Sequence, residues 1–142
     1  MFAFSVVAGT SHRSPITTHV LDTCIGRPAP HVGITLEYNS HSMPLSLDTE
    51  WNVIGRGVTN NDGRLTDLLQ PGSKACAGVY CLTFNMAEYH DRCRNEHPTF
   101  FNKWPFFPVA RIYFTIREDQ TDQHFHVPLT WNPFGYSTYR GS

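Results

Sequence analysis

The feature that most limits what this chain can fold into is a period of two. In residues 32–38, Val32, Ile34, Leu36 and Tyr38 fall on one side. Residues 78–84 alternate in the same way, and in 109–116 Val109, Arg111, Tyr113 and Thr115 oppose Ala110, Ile112, Phe114 and Ile116. A strand sends successive side chains to opposite faces, so such stretches read as half-buried strands. Further strands are expected at residues 51–59 and at 16–21, a β-branched run with Thr17, His19 and Leu21 on one face. The strand that ends at Ile116 is expected to begin near Pro105. Residues 26–30, 39–49 and 118–123 read as loops, and Asp62-Gly63 and Pro71-Gly72 as turns. Residues 86–95 read as a short helix that Pro98 prevents from continuing. Short strands at near-regular spacing with one short helix indicate an all-β fold, an antiparallel β-sandwich.

The end of the chain carries polar chemistry on this frame. His124, His126 and Pro128 alternate with Phe125, Val127 and Leu129, so both histidines share a face. Pro128 has no N–H for a ladder, which places it at an edge or a bulge. Asn132-Pro133-Phe134-Gly135 reads as a turn, and the strands are expected to end near Trp131. The tail Tyr136-Ser-Thr-Tyr-Arg-Gly-Ser142 is richer in aromatics than a disordered segment. It is expected to pack and present its polar groups, with no ladder bonds from its last four residues.

Composition excludes several classes. The chain's 142 residues suit one domain, expected over 15–142 after an N-terminal extension, 1–14. A net charge of −1 offers nucleic acid no bulk attraction. No apolar run approaches a membrane span. The first nine residues lack the Lys or Arg of a secretory leader, and no Ser-Lys-Leu sequence closes the chain. Localisation stays open between cytoplasm and peroxisome. Cys24, Cys76, Cys81 and Cys93 show no C-x-x-C spacing, and Cys81 reads as a small buried hydrophobe. No serine-nucleophile elbow, P-loop or dinucleotide fingerprint is present. His124-x-His126 would need His19, His90 or His97 to complete a zinc set, and no metal is expected. His124 is read as a surface histidine. Arg64, directly after a turn, is either solvated or a planar fork for urea-like or carboxyl-like oxygens.

Four segments, in order, resemble one known family. They are Thr18-His19-Val20-Leu21-Asp22, Thr59-Asn60-Asn61-Asp62-Gly63-Arg64, His126-Val127-Pro128-Leu129 and Tyr139-Arg140-Gly141-Ser142. Together they resemble the 5-hydroxyisourate hydrolases, the transthyretin-related enzymes of urate breakdown. The resemblance implies a transthyretin-like β-sandwich that opens the six-membered ring of 5-hydroxyisourate at an amide bond. It implies that His19 and His126 share the general-base and substrate-positioning roles. Arg64 would hold substrate and offset developing charge, and Tyr139 and Ser142 would orient water or substrate. Arg140 would position the tail. It implies no cofactor, and a homotetramer, a dimer of dimers with sites at the interface between dimers. The alternative on the same fold is a small-ligand carrier, which should lack both histidines, the arginine and the tail. Residues 39–49 and 102–107 look longer than in compact bacterial members.

Overall fold

The computed structural model describes residues 13–40, 50–101 and 104–142. Two sheets face each other. The first has the order β2-β1-β8-β9, with β5 also paired to β1. It is built from β1 (Ile16–Asp22), β2 (Arg27–Pro28), β5 (Arg64–Leu65), β8 (Phe125–Asn132) and β9 (Gly135–Thr138). The second has the order β4-β3-β6-β7, from β3 (Gly33–Asn39), β4 (Asn52–Val58), β6 (Gly78–Asn85) and β7 (Val109–Ile116). Ile16, Val20, Leu129 and Trp131 of the first sheet meet Ile34, Leu36, Leu82 and Phe84 of the second in one buried cluster. Each set recurs every second residue, so the alternation in the sequence becomes the inner face of the sandwich.

The pairing is antiparallel with one exception that matters. β1 and β8 run parallel along their whole length, from Ile16 opposite Phe125 to Asp22 opposite Trp131. β8 occupies one edge of β1, so β2 and β5 share the other, at Leu21–Asp22 and Thr18–His19 respectively.

Helix α1 (Met86–Glu96) continues directly from β6 and buries Met86, Tyr89, His90 and Cys93, the stripe of an amphipathic helix. Its first free N–H groups, those of Met86 and Ala87, donate to the Pro108 carbonyl. The Tyr89 hydroxyl donates to Asp22, whose other oxygen accepts from the Cys24 N–H at 2.8 Å. Asp22 is 1% exposed, so this motif aspartate fastens the turn after β1 to α1.

The structure corrects several expectations. β7 begins at Val109, not near Pro105, because Pro105 and Pro108 cannot donate to a ladder. Residues 26–30 contain the two-residue β2. The strands do not end near Trp131: β8 reaches Asn132, and β9 pairs back onto it from Gly135 to Thr138. Nor is the final stretch without ladder bonds, since the Gly141 N–H donates to the His126 carbonyl at 2.7 Å. Pro128 lies between that bridge and the Leu129–Thr138 pair, where pairing lapses and a missing N–H costs nothing. Of residues 1–14, expected to form an N-terminal extension, Arg13 and Ser14 are described. Ser14 is fully buried and its hydroxyl accepts from the Leu69 N–H at 3.2 Å. Residues 1–12, 41–49 and 102–103 lie outside the described residues, and with them most of the 39–49 loop. Beyond 103, the Phe106 N–H donates to the Pro133 carbonyl at 2.9 Å, docking that segment on the β8–β9 turn.

Candidate active site

The outer face of the first sheet is not an ordinary solvated surface. Ile16 and Val20 of β1 and Phe125, Val127, Leu129 and Trp131 of β8 face the core, so the alternate positions Thr17, His19 and His126 are directed outward together. Register then chooses neighbours. Parallel pairing sets Thr17 opposite His126, and antiparallel pairing sets His19 opposite Arg64. Two histidines far apart in sequence thus flank one arginine.

The turn that delivers Arg64 is tightly specified. Thr59 is buried and accepts from the Val32 N–H at 2.9 Å while donating to the Ala29 carbonyl at 2.7 Å. The Asn60 side-chain oxygen accepts from the N–H groups of Asp62 and Arg64, at 2.9 and 3.0 Å. Gly63 has φ +74°, and a Cβ there would meet the Val20 carbonyl oxygen at 2.6 Å. His19 Nε2 lies 2.9 Å from the Asp62 carbonyl oxygen. A carbonyl only accepts, so Nε2 carries the proton and neutral His19 keeps its lone pair on Nδ1.

A concavity of about 340 Å³ opens beside this cluster, lined by Arg13, Thr17, Arg64, His126, Tyr139 and Ser142 among others. That volume suits a small organic molecule. His19 does not line it; strand pairing sets it opposite Arg64, which does. Arg140 also borders the concavity, and among all lining residues there is no Asp or Glu. A site with several guanidinium groups and no acidic side chain favours negative charge.

The tail forms part of this wall. Gly141 approaches so closely that a Cβ would lie 2.7 Å from His126 Cδ2, so the imidazole has room only because residue 141 is glycine. The Arg140 guanidinium lies 4.5 Å from the centre of the Phe125 ring and donates to Gln123 at 3.0 Å. It thereby anchors the residues on either side of it. Tyr139 is 60% exposed and borders both this concavity and a neighbouring one of about 290 Å³.

His126 Nδ1 lies 2.8 Å from Thr17 Oγ1, and the same hydroxyl lies 3.1 Å from His124 Nε2. This corrects the reading of His124 as a plain surface histidine. Burial, then Arg64, then the other nearby histidines and Arg13 hold His126 below the ordinary histidine range. Burial and Arg64 lower His19, with Asp62 opposing them. Burial and Arg13 lower His124. All three rings are therefore neutral at pH 7 and able to accept protons. Among the described residues no three His, Cys, Asp or Glu side chains gather as a metal set.

Sequence reasoning missed Arg13, Thr17 and Thr66. Thr17 had a signal, its place two residues from His19 on one strand face. Nothing in the sequence paired it with His126.

Comparison with known proteins places this arrangement. A model of the HIUase/Transthyretin family matches residues 16–141. The chain is 38% identical over 134 residues to the Arabidopsis thaliana uric acid degradation bifunctional protein TTL, covering 92% of this chain but only 38% of that longer protein. It is 39% identical over 128 residues to the 5-hydroxyisourate hydrolase of Halalkalibacterium halodurans, covering 89% of this chain and 97% of that one. Among solved structures it is similar to sea bream transthyretin in complex with thyroxine, at 25% identity and a TM-score of 0.71, covering 90% of this chain and 95% of that one. It is also similar to Klebsiella pneumoniae 5-hydroxyisourate hydrolase, at 31% identity and a TM-score of 0.65, covering 89% and 98%. The order of the motifs, the two facing sheets and these likenesses agree, and the chain belongs to the HIUase/transthyretin family.

Proposed function

We propose that this protein is a 5-hydroxyisourate hydrolase acting in urate degradation, and that its outer-face cluster is the active site. The observation that carries the reading is the meeting of His126, Arg64, Tyr139 and Ser142 around one concavity, with His19 paired to Arg64. A carrier has no need of neutral histidines beside an arginine fork. Relatives named 5-hydroxyisourate hydrolase match nearly end to end, which favours catalysis over carriage.

The reaction is water attack on a cyclic amide. His126 takes a proton from water, and the resulting hydroxide adds to the carbonyl carbon. Negative charge develops on the carbonyl oxygen, where Arg64 offsets it with two parallel N–H groups. The carbon–nitrogen bond then breaks, and the departing ring nitrogen recovers the proton from His126. Atoms balance: one water becomes a carboxyl oxygen and an N–H, giving 2-oxo-4-hydroxy-4-carboxy-5-ureidoimidazoline. His19, bonded to the Asp62 carbonyl, steadies the turn that delivers Arg64 and supplies a second neutral imidazole, while Ser142 and Tyr139 orient water or substrate. The scheme uses no cofactor and no metal. In a homotetramer, a dimer of dimers, two such outer faces would meet and enclose these exposed sites.

The test is spectroscopic. Urate oxidase generates 5-hydroxyisourate in the cuvette, and its decay is followed with and without this protein. Catalysed decay at catalytic protein concentration is expected. Decay at the spontaneous rate, together with saturable binding of the substrate, would favour the carrier.

A further inference from the structure

We propose that Thr17 and His124 form a hydrogen-bonded chain with His126 that fixes which nitrogen of His126 is basic and draws off the proton it collects. The catalytic part of this inference rests on the hydrolase reading. Thr17 is 2% exposed, so its hydroxyl cannot exchange partners freely with solvent. Its two partners are ring nitrogens, His126 Nδ1 at 2.8 Å and His124 Nε2 at 3.1 Å. A hydroxyl has one proton, so between two neutral rings it donates to one and accepts from the other.

Only two arrangements satisfy both contacts. In the first, His126 Nδ1–H donates to Thr17, and Thr17 donates to His124 Nε2. His126 Nε2 is then a free lone pair, and it has no hydrogen-bond partner among the described residues. In the second, Thr17 donates to His126 Nδ1, and the proton sits uselessly on Nε2. Arg64 and Arg13, the cations that act on His126, line the concavity and favour a lone pair over an N–H at that nitrogen. They select the first arrangement.

The chain also moves charge. When Nε2 takes a proton from water, the Nδ1 proton can pass to Thr17 Oγ1 while the Thr17 proton passes to His124 Nε2. Thr17 ends as a hydroxyl, His126 as neutral imidazole and His124 as imidazolium, with no electrons transferred. The reverse shift returns the proton for the leaving nitrogen. The charged and titratable neighbours of His126 are Arg64, His124, His19 and Arg13, and that of His124 is Arg13. Sharing one proton between two rings spreads a charge that Arg64 and burial disfavour on His126 alone. Thr17 and His124 are thus positioning residues, acting through His126.

The experiment is histidine ¹⁵N NMR on the full-length protein above pH 7.5, with turnover measured in parallel. The unaltered protein should show His126 as the Nδ1–H tautomer. Thr17→Val keeps the shape and removes the hydroxyl. It should let His126 revert to the Nε2–H tautomer that free imidazole prefers and lower kcat about tenfold or more at unchanged KM. Thr17→Ser should restore the tautomer and bring kcat within about threefold of the parent. An Nε2–H tautomer in the unaltered protein overturns the chain, and that spectrum decides even if the valine variant misfolds. An unchanged Nδ1–H tautomer in folded Thr17→Val overturns it as well. Should the parent fail to hydrolyse 5-hydroxyisourate, the hydrolase reading falls, and the tautomer still decides the chain.

Discussion

His126 and His90 are both held below the ordinary histidine range chiefly by burial, yet their surroundings differ in kind. His90 is fully buried on the inner face of α1, and neither of its ring nitrogens has a hydrogen-bond partner among the described residues. It meets Phe101 edge-on at 5.3 Å and Trp131 at 6.4 Å, so it packs as an aromatic. His126 is half-buried, joined to Thr17 on one side, with a concavity on the other. Burial makes either ring neutral. Only a hydrogen bond decides which nitrogen of a neutral ring is the base, and only an opening brings it a reactant. A lowered histidine is therefore a candidate, and its wiring separates a site from a core.

The sharpest way to break this comparison is to exchange the roles. His126→Asn should lower turnover of 5-hydroxyisourate about a hundredfold or more with the fold retained, the scale of lost acid–base catalysis. His90→Leu should leave turnover within about threefold. Near-parental turnover in His126→Asn, or a hundredfold loss in His90→Leu, would reverse the assignment.

A smaller effect is expected where the tail touches the ring. Gly141→Ala puts a methyl 2.7 Å from His126 Cδ2 and 3.3 Å from Pro128 Cγ, so either the tail or the imidazole must shift. Turnover should fall about tenfold, since small displacements at a reacting centre carry large factors. Thermal stability should change little, because Gly141 belongs to the outer face and not to the core. A parental rate in this variant would remove the tail from the site.

The least effect is on pH dependence, and its sign follows from burial. The native pKa of His90 lies below that of the unfolded chain, so the unfolded state binds more protons as pH falls past about 6.5. The stability that neutral His90 contributes is complete above that pH and is lost on acidification. His90→Leu should therefore show a smaller drop in Tm between pH 7.5 and about 5.5 than the parent. Equal drops in scanning calorimetry would mean that His90 does not titrate differently on unfolding.

Much of this was legible in the sequence. Alternation in residues 32–38 and 78–84 became β3 and β6, and residues 86–95 became α1 with one residue more. Asp62-Gly63 formed its turn because φ +74° suits glycine and the Asn60 side chain caps the backbone locally. Such features were readable because their causes lie within a few residues. The β9 pairing was not, since Gly135–Thr138 alternates weakly and is specified by what β8 offers it.

The sequence by itself determined which residues face outward from β1 and β8, and which motifs accompany one another in this family. It could not determine that β1 runs parallel to β8 with Thr17 opposite His126, or that Gly141 lies against that same ring. Side-chain alternation is a local consequence of backbone geometry, identical for every partner a strand might take. Register is a choice among partners more than a hundred residues away, settled by which pairing closes the core between the sheets. Only the folded chain made that choice, and with it the hydrogen bonds that distinguish His126 from His90.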